Sequence, residues 1–318
     1  MKRGLGVLTL LAMLPTLGGY LGVLYPLGDS LAVFRAQGAV GLALVSGVAL
    51  ALRVVVAGRL GMVLAAVTGL PLAWGYLAPA MPGADLRLYQ KNMLYRNPDL
   101  TGLEADIRAT APDVLTLQEV SEPNKALLPA LSDQLPHQLW CPFEAVGGEA
   151  IATRLPPIPG REVCASGLAA LQVKGPKGPL WLVSVHLYWP WPHEQAGQVA
   201  DLLPVLKEMA QPVVMAGDFN MVGWSHALAA LRGATGTVEA GPVLGTYTGF
   251  APWVILPIDH VMAPGGGQTQ SRPGLGSDHL GLLAELAHHV VVFMPRQMAA
   301  RQKSTTRSIR SASIITIG

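Results

Sequence analysis

Six stretches of the chain carry a polar or ionisable residue out of an apolar run. "LYQKN" ends in Asn92, "VLTLQEV" carries Glu119 and "WLVSVHL" carries His186. "VVMAGDFN" delivers Asp218 and Asn220, "ILPIDHVM" delivers Asp259 and His260, and "GSDHLGLL" delivers Asp278 and His279. Side chains alternate faces along a strand, so Asp218 and Asn220 share a face that Phe219 avoids. By the same alternation His260 faces away from Asp259 and reads as structural. A buried carboxylate is costly unless it is paired, hydrogen-bonded or bound to metal. Several of them meeting at one sheet edge would form a hard, oxygen-rich site of the kind Mg²⁺ or Mn²⁺ takes, not a thiolate-rich zinc site. An Asp beside a His fixes the imidazole tautomer and raises its basicity. Taken singly, each motif has a plain structural reading: a turn former in "AGDFN", a solvated strand end in "QE", a core histidine in "SVHL". Chemistry requires that they converge.

Convergence requires strands that all end at one edge. "ADLRLYQKNML" alternates and predicts a first strand; "PDVLTLQEV" predicts a second. "EAIATRL", "GLAALQV" and "PLWLVSVHLYW" follow as strands between Pro/Gly turns, and further strands are expected at Val213–Asp218, Ile255–Met262 and Leu280–Leu286. Helical spacing predicts helices over Leu100–Thr110, over "KALLPALSDQL", over 194–210 with a kink at Pro204, and near Ser225–Leu231. Hairpin-like strands with a few helices predict an α+β domain, two packed sheets flanked by helices, over residues 85–288.

The composition splits the chain. It is 51% hydrophobic and 13% charged, against about 25% charged for a typical soluble domain. The apolar excess lies in residues 1–82. Three runs there, 5–24, 36–52 and 60–80, are each about as long as a bilayer-spanning helix needs, roughly 17–25 residues, and none has a polar face. They predict a three-span membrane anchor. The first run also has the basic start of a cleaved signal peptide, but no small-x-small site follows and more apolar runs do. Lys2, Arg3, Arg53 and Arg59 bias the N-terminus to the cytoplasm and the C-terminal domain to the outside. From Asp85 to Glu285 the chain holds 12 Lys/Arg against 19 Asp/Glu, which argues against a broad basic surface tracking nucleic acid. The basic Ser/Thr-rich segment 289–318 reads as a disordered tail.

In order and spacing, "KNMLYRN", "PDVLTLQEV", "SVHLYWP", "VVMAGDFN", "PIDHVMA" and "GSDHLGLLAEL" resemble the successive signatures of the endonuclease/exonuclease/phosphatase superfamily, the DNase I-like fold, across about residues 85–287. The three apolar runs resemble the anchor of membrane-bound bacterial members. The resemblance implies a four-layer α/β sandwich and metal-dependent hydrolysis of a phosphate ester, a nucleic acid or a lipid headgroup. It implies Glu119 as the main Mg²⁺ (or Mn²⁺) ligand, Asn92 beside it as ligand or orienter, and Asp278 supporting the metal or its waters. It further implies that His279 contacts the phosphate or acts as base, with Asp259 holding its ring. Asp218 would position or deprotonate the attacking water, and Asn220 and His186 would donate to phosphoryl oxygens. Glu149 matches an acidic residue that some members pair with the His186 equivalent. Trp189, Trp191 and Trp224 are read either as flanking the substrate or as packing the rim of the core. Cys141 and Cys164 read equally as a disulfide of an exported domain or as two buried thiols. A catalytically silent binding or scaffold module is the alternative reading. A small transporter fits only the N-terminal runs, which carry few polar groups to line a path.

Overall fold

The computed structural model describes residues 1–77, 85–210, 212–251 and 253–287. Four helices come first: α1 (Lys2–Gly18), α2 (Leu27–Val33), α3 (Arg35–Ala51) and α4 (Val55–Leu77). Two six-stranded mixed sheets follow. The first has the spatial order β13 (Gly267–Arg272), β14 (Gly281–Leu286), β1 (Leu86–Asn92), β2 (Val114–Val120), β4 (Gly147–Thr153), β3 (His137–Glu144). The second runs β5 (Pro157–Ala165), β6 (Leu168–Gly175), β7 (Gly178–His186), β8 (Val213–Asp218), β12 (Asp259–Ala263), β9 (Val238–Glu239). A separate hairpin joins β10 (Tyr247–Ala251) to β11 (Val254–Leu256).

The inner faces of the two sheets meet in an apolar layer: Leu88, Val114 and Ile151 from the first against Leu171, Leu182, Val214 and Val261 from the second. The outer face of the first sheet packs on Leu103 and Ile107 of α5 (Leu100–Thr110) and on Leu127 of α6 (Leu127–Ala130). The outer face of the second packs on Leu202 and Leu206 of α7 (Gln195–Glu208) and Leu228 and Leu231 of α8 (His226–Thr235). Strands covered on both faces read as continuous apolar runs, and β8 is buried along its whole length. Each sheet contains one parallel pair, β1–β2 with α5 between and β7–β8 with α7 between. Each crossover returns the chain to the start of the next strand. The C-terminal ends of each pair therefore lie at one edge, where the polar residues sit.

Several expectations need correction. The helix expected over "KALLPALSDQL" shrinks to a 3₁₀ turn, Asn124–Ala126, and the four residues of α6; Pro129 removes a donor from its middle. The strand expected over Ile255–Met262 is two strands, broken at Pro257 between β11 and β12. Strands β3, β5, β9, β10 and β13 lack an alternating apolar pattern and were not anticipated; their burial is mostly partial. Cys141 and Cys164 are disulfide-bonded, linking β3 of one sheet to β5 of the other. The tail 289–318 and the end of the third apolar run lie outside the described residues.

Among the described residues of the N-terminal region only α4 is long and apolar enough to cross a membrane on its own; α1 and α3 have 17 residues each, and α2 with α3 passes the same test only as a bent pair. The bundle is sorted by size. Mostly small residues face inward, among them Thr9, Ala39, Ser46, Gly61 and Ala65 with Leu42, while Leu14, Leu44, Leu60, Val63, Leu70 and Trp74 face outward. Asp29 of α2 and Arg35 at the start of α3 tie the bundle to the sandwich. The Asp29 carboxylate accepts from the backbone N–H groups of His226 (2.8 Å) and Ala227 (2.9 Å) at the start of α8, where the helix dipole favours an anion. Arg35 lies over the Tyr20 ring at 4.1 Å and donates to the Trp224 carbonyl at 3.3 Å. Trp224 donates its indole N–H to the Ala32 carbonyl at 2.8 Å, so it packs beneath α2 and does not flank the polar edge.

Candidate active site

Register brings the site together. His186 at the end of β7 pairs with Asp218 at the end of β8, and Asp218 pairs with Asp259 at the start of β12. These three stand in one row across three adjacent strands. The close β7–β8 approach demands Gly217, since a Cβ there would lie 1.9 Å from the Val185 carbonyl oxygen. In the other sheet Asn92 of β1 lies beside Gln118 of β2. Glu119 follows at a β-bulge where the β2–β4 register shifts, with φ +57. Bulges re-aim a side chain, and the left-handed backbone is costly for a residue other than glycine. Asn220 has a similar backbone, φ +46.

His279 arrives from the loop before β14. Lys91, buried, holds that loop by donating to the Gly274 carbonyl at 2.7 Å and to the carbonyl of His279. Burial pushes the Lys91 ammonium down to about 8 against the pull of Asp259 and other carboxylates.

Asp218 and Asp259 are bonded as the cost of a buried carboxylate demands. Asp218 Oδ2 accepts from the Asn92 amide at 2.9 Å, and its Oδ1 accepts from the Asn220 backbone at 2.8 Å. Its Oδ2 also stands 3.6 Å from His279 Nε2 and 3.7 Å from His186 Nε2. Asp259 Oδ2 bonds His279 Nδ1 at 2.7 Å, and its Oδ1 accepts from Gln90 at 2.9 Å. Gln90 in turn donates to Gln118, which donates across the sheets to Ser184, each at 2.9 Å. Asn92 also donates to Glu119 at 3.0 Å, and its own oxygen accepts from the Leu94 backbone at 3.0 Å. Asn92 thereby links Glu119 to Asp218. Glu119 also accepts from the Tyr95 backbone at 3.0 Å.

The electrostatics separate the groups. Burial opposes the imidazolium of His279, yet Asp259 and Asp218 outweigh it and raise the ring to about 9. Burial also opposes the Asp259 anion, but the charge and hydrogen bond of His279 hold it below the ordinary carboxylate range. Asp218 goes the other way, because burial pushes it up by more than His279 and His186 offset. His186 is likewise held up by Glu149 and Asp218 against burial. Glu149 is fully buried with neither oxygen hydrogen-bonded, 3.6 Å from His186 Nδ1.

Glu119, His186, Asp218, Asn220, Asp278 and His279 all line one cleft of about 630 Å³. Asn92 and Asp259 stand behind it. His260 points elsewhere, bonding Glu239 and the Met221 carbonyl, as its alternation requires. Trp189 lines the cleft and Trp191 does not. Tyr247 was not anticipated; its ring lies 4.9 Å from that of His279 and forms one wall. Its only sequence signal is the neighbouring Thr246, whose hydroxyl accepts from the Asp259 backbone at 3.2 Å.

The donor set fits a hard divalent cation. Asp218, Asp259 and His279 offer ligand atoms within 4.8 Å of one another, but the Asp259–His279 hydrogen bond already uses two of them. Glu119 and Asp278, partly exposed, present further carboxylates to the same cleft.

The comparisons with known proteins agree with this geometry. TDP2 from Caenorhabditis elegans matches with a TM-score of 0.51 at 15% identity, over 69% of this chain and 80% of that one. An endonuclease/exonuclease/phosphatase family protein from Leptotrichia buccalis matches with a TM-score of 0.50 at 14% identity, over 64% and 99%. At such identities the likeness concerns the fold, which is DNase I-like. No curated protein sequence matches the chain. The model of the Endonuclease/Exonuclease/phosphatase family matches residues 89–279, more than half of the chain, and the chain belongs to that family.

Proposed function

We propose that the protein is a membrane-anchored, divalent-metal-dependent phosphodiesterase. One observation carries the reading of the site: the Asp218 carboxylate sits beside an open cleft with Asn92, His186 and His279 around it. A phosphoryl group entering there meets the His279 imidazolium, the His186 ring and the Asn220 side chain. Asp218, the carboxylate whose proton affinity is raised, is placed to receive a proton from water. His279, held as the cation by Asp259, donates to a phosphoryl oxygen. The water oxygen bonds to phosphorus, one phosphorus–oxygen ester bond breaks, and the proton held by Asp218 returns to the leaving oxygen or to solvent. A bound Mg²⁺ or Mn²⁺, held by Glu119 and Asp278, would supply charge stabilisation to the phosphoryl oxygens.

The membrane reading rests on the size sorting of α1, α3 and α4. A water-soluble bundle hides its large apolar residues, whereas this one turns them out and packs through small ones, as helices in lipid do. Lys2, Arg3, Arg53 and Arg59 lie at or near one end of the bundle, and the sandwich docks at the other through Asp29 and Arg35. That polarity supports a cytoplasmic N-terminus and an extracytoplasmic sandwich in a bacterial inner membrane.

The test is hydrolysis of bis-p-nitrophenyl phosphate by the full chain in detergent with Mg²⁺. Activity should vanish in EDTA and fall by about a hundredfold or more in Glu119→Ala. Activity that survives both would refute the metal-dependent reading, and no activity on any phosphate ester would favour a binding module of the same fold. A C-terminal reporter that works only in the cytoplasm would refute the topology.

A further inference from the structure

We propose that Lys91 is a positioning residue of the reaction: its buried side chain grips the loop between β13 and β14 from behind and thereby fixes where the His279 ring stands. This rests on the phosphodiesterase reading above and deepens it by one residue that does not touch the substrate.

Lys91 precedes Asn92 in β1, so alternation turns it to the opposite face of the sheet. Asn92 reaches Glu119 and Asp218, whereas Lys91 lies on the side of an otherwise apolar layer that includes Tyr89, Met93, Leu103 and Ile107. Lys91 is fully buried, which a lysine almost never is without partners. Its ammonium spends all three hydrogens on the carbonyls of one loop: Pro273 at 3.3 Å, Gly274 at 2.7 Å, and His279. The charges of Asp259, Asp106 and Asp278 favour the ammonium from further off. Packing alone does not call for a charge there, since an apolar side chain of similar length fills the same space without losing hydration.

The gripped loop is the one that carries the chemistry. It leaves β13 at Arg272, which is fastened to Asp106 of α5 at 3.2 Å. It reaches His279 through Leu275 at φ +47 and Gly276 at φ +81. A left-handed backbone at a leucine is costly and persists only where its surroundings hold it. Asn97 supplies part of that hold by donating to the Leu275 carbonyl at 3.0 Å. At the far end of the loop, all but one of the polar handles of His279 are taken. Its backbone N–H donates to Ser277 Oγ at 3.0 Å, its carbonyl accepts from Lys91, and its Nδ1 bonds Asp259 at 2.7 Å. Ser277 in turn donates to the Asn92 carbonyl at 2.8 Å. Lys91 and Ser277 thus tie His279 to the end of β1. Only Nε2 is left, 3.6 Å from Asp218 and beside the cleft. Without the ammonium three carbonyls lose their shared donor, and the loop is free to relax away from the strand. A displacement of about 1 Å at a reacting group costs about a hundredfold in rate.

The experiment assays the full chain in detergent with Mg²⁺ on bis-p-nitrophenyl phosphate. Lys91→Met should lower kcat by about tenfold or more and move KM by less than about threefold. Lys91→Gln offers two donors without the charge; it should fall between Lys91→Met and the native chain, and it carries the test if Lys91→Met does not fold. Leu231→Ala, a cavity in the opposite outer layer, is the stability control and should keep kcat within about twofold despite a lowered Tm. In the His279→Gln background Lys91→Met should cost less than about twofold more, because its effect runs through His279. Hydrogen exchange over residues 273–280 should be faster in Lys91→Met and unchanged in Leu231→Ala. Full kcat in Lys91→Met, an equal loss in Leu231→Ala, full additivity with His279→Gln, or unchanged exchange in the loop each overturns the role. If the native chain cleaves no diester, the phosphodiesterase reading is what has failed, and the positioning role falls with it.

Discussion

Asp259→Asn isolates the Asp–His pair without changing its shape. Asp259 is 3% exposed and bonds His279 Nδ1 at 2.7 Å. The amide is isosteric but uncharged, so the ring loses the charge that most opposes its burial. In the native protein the imidazolium persists up to about 9. In the variant Asp218 remains, but burial then dominates and the ring becomes neutral well below that. At pH 8 His279 can no longer make a charge-assisted bond to a phosphoryl oxygen, a bond worth about 1.5–3 kcal/mol. That corresponds to about 10–150-fold in rate. The assay is kcat/KM on bis-p-nitrophenyl phosphate between pH 6 and 10, with Mg²⁺ affinity measured in parallel. The alkaline limb should move from near 9 to lower pH, with a much smaller loss at pH 6. An unmoved alkaline limb would refute the reasoning. A collapse of Mg²⁺ affinity would instead make Asp259 a metal ligand.

Linkage gives a stability prediction of known sign. His279 holds its proton more tightly folded than unfolded, so its contribution is complete below the ordinary value of 6.5 and is lost as pH rises through about 9. Thermal unfolding in detergent should show that decline in the native chain and not in His279→Gln. Cys141→Ser/Cys164→Ser opens the 23-residue loop between the two sheets and should cost about 2–4 kcal/mol; the purified native protein should contain no free thiol by mass analysis. Asp29→Ala leaves the backbone donors of His226 and Ala227 without their carboxylate and should cost about 1–2 kcal/mol, seen as faster proteolysis between the helices and the sandwich.

Much of the catalytic edge was legible because strand chemistry is local. Asp218 and Asn220 announce themselves by ending an apolar strand two residues apart, and alternation alone sends Phe219 into the core and His260 to Glu239. The helix Leu100–Thr110 was equally plain, since its apolar spacing lies within one segment. Edge strands such as β3, β5 and β13 were not, because half-buried strands with polar and glycine residues have no period to read.

What the sequence by itself determined was the set of chemical groups, the order of the strands that carry them, and the division between an apolar first quarter and a mildly acidic remainder. Each of these is a property of residues near one another in the chain. Only tertiary structure decided that His186, Asp218 and Asp259 stand in one row, since parallel and antiparallel registers are fixed by crossovers and burial far from the site. Only tertiary structure placed Tyr247 on His279, joined Cys141 to Cys164, and brought the Asp29 carboxylate to the first amides of a helix nearly two hundred residues away. The reason is the same in each case: a buried polar group takes whichever partner the packing leaves within reach, and packing is a property of the whole chain.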